Sequence, residues 1–172
     1  MGRLAQEMFE RARLEYGVAK PDMEQFFLSD LLQDVFQKFE LTVQAKQQRL
    51  MADIAPDLPP VTADLAMMER VLVNLIDNAV RATPTGGEIT VGLQPHAAGG
   101  IEVTVRDTGP GVSSALKKHL FERPVAMDAA SPGARAGGFG LLIVHRILQL
   151  HASKIRLVPD AGSGAVFHFV LR

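Results

Sequence analysis

Residues 64–87, DLAMMERVLVNLIDNAVRATPTGG, carry the pattern on which the fold turns. Leu65, Met68, Leu72, Leu75, Ile76 and Ala79 recur at helical spacing, which predicts an amphipathic helix with one side on a core. Asp64 stands just before it, where a carboxylate accepts from the first backbone N–H groups. TPTGG, residues 83–87, ends the helix near Ala82. On this helix Asn74 and Asn78 are four apart and Arg81 lies three further on, so two amides and a guanidinium share one side. A neutral amide oxygen is a hard donor for Mg2+ when phosphates supply the negative charge, and Arg grips a phosphate with two N–H groups. The set suits a Mg-nucleotide, and equally the polar stripe of a surface helix.

Upstream, residues 1–17 read as a helix stopped by Gly17 and Pro21. A second helix starts at Ser29 or Asp30 as N-cap, with Leu31, Leu32, Val35, Phe36, Phe39 and Val43 as its apolar stripe. Leu50, Ala52 and Ile54 alternate like a half-buried strand, and APDLPP, residues 55–60, is a loop. Downstream, Ile89, Val91 and Leu93 and then Ile101, Val103 and Val105 predict an antiparallel hairpin joined by QPHAAGG. A short helix is expected over 113–120 and a long loop over 124–138, of the kind that serves as a lid. Residues 141–150 are helical and apolar, and two last strands, over 155–158 and 165–171, flank DAGSG. This order predicts an α+β fold: a two-layer sandwich of helices on a mixed, mostly antiparallel sheet.

The chain has 172 residues, 47% hydrophobic and 22% charged, enough for one core and too apolar for disorder. A net charge of −1 supplies no basic footprint, so nucleic acid is not an expected partner. With no Cys there is neither a disulfide framework nor a thiolate site, which fits a reducing compartment. No apolar run is long enough to span a bilayer, so this stretch is expected to make no membrane contact. The expected location is the cytoplasm, with a membrane anchor left open for a longer parent protein.

Two further clusters invite a ligand. Asp107 closes the second hairpin strand and is followed by Thr108, Gly109, Pro110 and Gly111. A carboxylate held there accepts from an exocyclic amine such as that of adenine, although an Asx turn leaving a strand needs no ligand. Gly137, Gly138 and Gly140 precede the apolar helix, whose unpaired N–H groups and positive dipole end favour phosphate. A plain hinge has the same composition.

Five segments in order, ERVLVNLIDNAVRATPTGG, VRDTGPGV, LFERP, GGFGLLIVHRI and GSGAVFHFVL, resemble the ATP-binding catalytic domain of sensor histidine kinases. That superfamily also includes gyrase, the mismatch-repair ATPases and a heat-shock chaperone. The resemblance covers about residues 28–172 and implies the same helix-on-sheet sandwich, with a lid at about 122–138. It implies catalytic roles for Asn74, Asn78 and Arg81, with Asn78 the Mg2+ ligand and Arg81 near the phosphates. Asp107 matches the adenine-reading aspartate, with Gly109 and Gly111 beside it, and Phe121 the aromatic that seats the lid. Gly138 and Gly140 match the phosphate-side glycines, with Phe139 and Leu141 alongside, and Gly162 and Gly164 the last glycine turn. ATP and Mg2+ are the implied ligands.

The chain departs from the family pattern in the lid. Ala136 stands where a Gly is usual, Phe139 replaces a common Leu, and Pro124, Val125 and Ala126 follow LFER in place of aromatic and basic residues. Asn74 occupies the place of the glutamate base of the hydrolysing cousins, so water is expected to be poorly activated. None of the five His fits the phospho-acceptor: HLFERP puts Pro124 five residues after His119, as in the acceptor motif, but on the wrong side of the adenine motif. Residues 1–20 resemble the end of the family's helical dimerisation and acceptor hairpin, which makes the chain a fragment cut downstream of the acceptor. The resemblance then implies transfer of the γ-phosphate to a histidine on the adjoining domain of a homodimeric parent, and onward to a response regulator. A nucleotide-binding regulatory module without transfer and an anti-sigma-type serine kinase are the other members of the superfamily that fit.

Overall fold

A computed structural model describes residues 2–4, 20–113, 117, 121, 139–159 and 164–172. Most of the expected helices over 1–17 and 113–120, and the lid, therefore lie outside the described residues. The elements run β1 Met23–Phe26, α1 Leu28–Ala45, β2 Arg49–Ile54, β3 Val61–Asp64, α2 Leu65–Ala82, β4 Glu88–Pro95, β5 Ile101–Asp107, α3 Gly140–Leu150, β6 Arg156–Leu157 and β7 Ala165–Leu171.

The main sheet has the order β2-β4-β5-β7-β6, with β2 and β4 parallel and the other neighbours antiparallel. It is the mixed, mostly antiparallel sheet that the sequence predicts, and the hairpin β4-β5 pairs Ile89 with Asp107 and Pro95 with Ile101. The inner face presents Ile89, Val91 and Leu93, then Ile101, Val103 and Val105, then Phe167, Phe169 and Leu171, all buried. Against it pack Leu31, Leu32, Val35, Phe39 and Val43 of α1, Met68, Leu72, Leu75 and Ile76 of α2, and Leu141, Val144, Ile147 and Leu148 of α3. Burying each such side chain stabilises by about 1.5–3 kcal/mol before the entropic cost of ordering it.

Asp64 caps α2 as expected: its Oδ1 accepts from the Met67 N–H at 2.9 Å, and its Oδ2 accepts from the Asp22 N–H at 2.8 Å. The cap thereby also anchors the approach to β1.

Four details differ from expectation. Helix α1 begins at Leu28 with Phe27 as its N-cap and no side-chain cap, so Ser29 and Asp30 lie in its first turn. Asp30 still opposes the positive end of the helix there. Leu65 is 37% exposed, because it opens α2 before the apolar stripe meets the sheet. Ala52 and Ile54 are exposed, as β2 is an edge strand with a single neighbour. The pair β1-β3, antiparallel with Met23 opposite Asp64, was not foreseen, since four residues are too few to show a period.

Candidate nucleotide site

Helix α2 places Asn74 and Asn78 one turn apart, on the side that borders α3. Asn78 is buried, and neither its amide nitrogen nor its amide oxygen has a hydrogen-bond partner among the described residues. The Asn74 amide nitrogen is orphaned in the same way. An unpartnered buried polar group costs roughly 1–3 kcal/mol, so two such amides on one stripe mark a place built to meet something. One turn earlier, the Nε of Arg70 is also buried without a partner. Arg70 was not singled out from the sequence, though its spacing of four from Asn74 was the available signal.

The N-terminus of α3 closes on the same place. A Cβ on Gly140 would lie 3.3 Å from Asn74 Oδ1, so the helix start abuts that amide. Phe139 is the N-cap and contributes no side-chain hydrogen bond, which leaves the opening turn to present backbone N–H groups. Leu141 is buried beneath it and Phe139 packs against the core.

Asp107, at the end of β5, is 3% exposed, and its Oδ1 accepts from the Gly109 N–H at 2.9 Å. A Cβ on Gly109 would stand 2.5 Å from the Ala82 carbonyl oxygen, so only glycine lets this turn cross the end of α2. Gly111 adopts φ +82°, a left-handed conformation that glycine adopts without strain. The end of α2 is fixed from below by Gln48, whose Nε2 donates to the carbonyls of Val80 at 2.9 Å and Thr83 at 2.7 Å. Lys46 Nζ donates to the same Val80 oxygen at 2.7 Å.

The remaining expected residues are placed as follows. Arg81 is exposed and its Nε pairs with Asp77 Oδ2 at 3.2 Å, an oxygen that also receives Arg3. Phe121 stacks on His145 with ring centres 6.2 Å apart and meets Phe167 edge-on at 6.1 Å, anchoring the chain that leads toward 122–138. Gly138, Ala136, His119 and Gly162 lie outside the described residues.

Residues 63–172 match the model of the family described as histidine kinase-, DNA gyrase B-, and HSP90-like ATPase. The chain belongs to this ATPase family. It is 33% identical over 173 residues to an adaptive-response sensory kinase SasA of Microcystis aeruginosa, covering 99% of this chain and 44% of that one. A SasA of Synechococcus sp. strain JA-3-3Ab is 36% identical over 146 residues, 84% of this chain and 38% of its own. The chain thus spans less than half the length of these relatives. Among solved structures, the nucleotide-free catalytic domain of the histidine kinase ThkA superposes with a TM-score of 0.76 at 26% identity, covering 87% of this chain and 95% of that one. Full-length ShkA in complex with AMPPNP gives 0.83 at 25% identity, over 96% of this chain and 34% of ShkA. This is a histidine kinase-type ATPase domain, with the helix-on-sheet sandwich that the family resemblance implies. Among the described residues, no helix of this ATPase domain is long and apolar enough to cross a membrane.

Proposed function

We propose that this domain binds Mg-ATP and passes the γ-phosphate to a histidine on the helical dimerisation domain of a longer sensor kinase, which hands it to a response-regulator aspartate. Residues 1–20 are then the end of that helical hairpin, the parent is a homodimer, and the catalytic domain works in the cytoplasm. The observation that carries this reading is the buried, unpartnered amide of Asn78 beside Asn74 and the start of α3.

The donor set fits the ligand. Asn78 offers a neutral oxygen to a cation whose remaining ligands are phosphate oxygens, and a bound Mg2+ would neutralise charge on those phosphates. Phosphate oxygens and water would complete the shell of such a cation. Asp107, as an acceptor-only carboxylate, reads the adenine amine at the far end of the site. Gly109 and Gly111 let the backbone come close there. The N–H groups at Gly140 and Leu141 face phosphate, Gly138 and Phe139 lead into them, and Arg81 exchanges Asp77 for the nucleotide. Phe121 holds the root of the lid.

Asn74 cannot take a proton from water, because an amide has no basic lone pair at neutral pH. Hydrolysis is therefore slow, and the reaction waits for an imidazole that needs no base. Positioning and charge neutralisation carry the transfer.

The test uses the purified chain with the parent's helical hairpin supplied as a separate polypeptide. The chain alone should bind ATP, turn it over slowly and not label itself. With the hairpin it should form an acid-labile, base-stable phosphoramidate, weakly, for want of a tether. Robust self-labelling lost in His119→Ala would overturn this account, and an acid-stable serine ester on a partner would favour the anti-sigma class.

A further inference from the structure

At the opposite end of the sheet lies a second cavity, of about 500 Å3, lined by His96, His151, Lys154, Arg156, His168 and Arg172 together with Ala152, Ser153 and Val170. That volume is of the size that small organic ligands occupy. It sits where β5 begins and where α3 has ended. Glu102 and Asp107 are five residues apart on β5, about 17 Å at strand rise, so this cavity and the nucleotide site are separate places joined by two shared elements.

The charged side chains that line it are of one sign. Lys154, Arg156 and Arg172 make no ion pair or side-chain hydrogen bond among the described residues, whereas Lys38, Arg49 and Arg81 elsewhere on the surface pair with Glu69, Glu88 and Asp77. The carboxylate beside the cavity is Glu102, and it is already engaged: its Oε1 receives His168 Nε2 at 3.1 Å and His96 Nδ1 at 3.4 Å. Those contacts hold the Glu102 carboxyl below its ordinary value. His168 and His96 each keep a second ring nitrogen with no partner among the described residues. His151, in contrast, is committed, with Nδ1 at 2.8 Å from the Ile147 carbonyl and Nε2 accepting from the Asp64 N–H at 3.1 Å. The carbonyls at the end of α3 are met by the N–H groups of His151, Ala152 and Ser153, which blunts the negative end of that helix.

We propose that this cavity is a binding site for a small multivalent anion, a polycarboxylate or a phosphate ester, held by Lys154, Arg156 and Arg172, with the second ring nitrogens of His96 and His168 as further donors when those rings carry a proton on both nitrogens. Two guanidiniums and an ammonium around one recess match the spread-out charge of such a ligand, and Arg156 and Arg172 supply bidentate geometry. Glu102 orients the two imidazoles and its negative charge opposes the ligand. The proposal does not depend on the kinase reading.

The test follows the imidazole signals of His96 and His168 by NMR in the whole chain at constant ionic strength, with citrate and pyrophosphate as probes and chloride as control. Saturable shifts are expected with at least one probe, the tighter one naming the carboxylate or phosphate class. Binding should weaken at least tenfold in Lys154→Ala/Arg156→Ala, and in Lys154→Glu should the double variant fold poorly. It should strengthen at least threefold in Glu102→Gln and change less than twofold in Lys38→Ala/Arg49→Ala, which removes two cations away from the cavity. No saturable shift with either anion, or equal binding by the charge variants, would overturn the site. Equal loss of binding in Lys38→Ala/Arg49→Ala would likewise overturn it, by making the binding a matter of net charge.

Discussion

A Cβ placed on Gly164 would overlap the carbonyl oxygen of Asp107, so the chain entering β7 touches the end of β5 backbone to backbone at the residue that carries the buried carboxylate. Gly164→Ala therefore has to push β5 and β7 apart at the mouth of the site. We expect a loss of about 1–3 kcal/mol in unfolding free energy and a weaker nucleotide affinity, read by urea denaturation and ATP titration. An unchanged denaturation midpoint would show that the contact yields without strain.

Asp107→Asn keeps the shape of the side chain and replaces an acceptor-only carboxylate with an amide. ATP binding should weaken by about 1–3 kcal/mol, measured by calorimetry with Mg2+ present. Equal affinity would remove Asp107 from the adenine-reading role.

Asn78→Ala separates stability from function. The ligand-free chain loses an amide whose polar atoms have no partner, so its unfolding free energy should not fall by more than about 1 kcal/mol. The Mg2+-dependent part of ATP binding should disappear while the Mg2+-independent part persists. Equal losses with and without Mg2+ would contradict the metal role.

His151→Phe tests the joint between α3 and α2. It strands the Asp64 N–H, which His151 Nε2 now accepts at 3.1 Å, and removes the contact to the Ile147 carbonyl. Destabilisation of about 1–2 kcal/mol is expected in chemical denaturation, with ATP affinity little changed.

Glu102 gives a signed pH dependence. Because its native carboxyl titrates below the ordinary 4.5, mainly through its hydrogen bond from His168, it adds stability above that value, and the contribution is lost as pH falls through the lowered native value. The side chain is 37% exposed, so solvent screening keeps the gain within about 0.2–1 kcal/mol. In Glu102→Gln the stability difference from the parent chain should hold steady above the ordinary 4.5 and shrink progressively as pH falls below it. A constant difference across that range would place the effect in packing.

Long periodic segments were legible from the residues alone. The α2 stripe, the Asp64 cap and the hairpin β4-β5 followed from spacing that one packed face imposes over many residues. The pair β1-β3 was not legible, because each strand is four residues long and their partnership is set by tertiary contact. At the site, the i, i+4 spacing put Asn74 and Asn78 on one side. What spacing could not tell was burial: Asn78 is enclosed, while Arg81 stands out in solvent against Asp77. Arg70 escaped notice because a guanidinium on a helix reads as surface, and only its enclosed Nε sets it apart.

The donors that close the end of α2, Lys46 and Gln48, come from well before residue 63, where the family match begins. The boundary of the family match is therefore not the boundary of the packed unit. A truncation at 63 would strip the Val80 and Thr83 carbonyls of their side-chain donors, uncover the core under α1, and turn β4 into an open edge inviting association between chains. A piece that keeps these contacts starts no later than β1, and any engineered transplant of this domain has to carry the forty residues from β1 to the start of the family match with it.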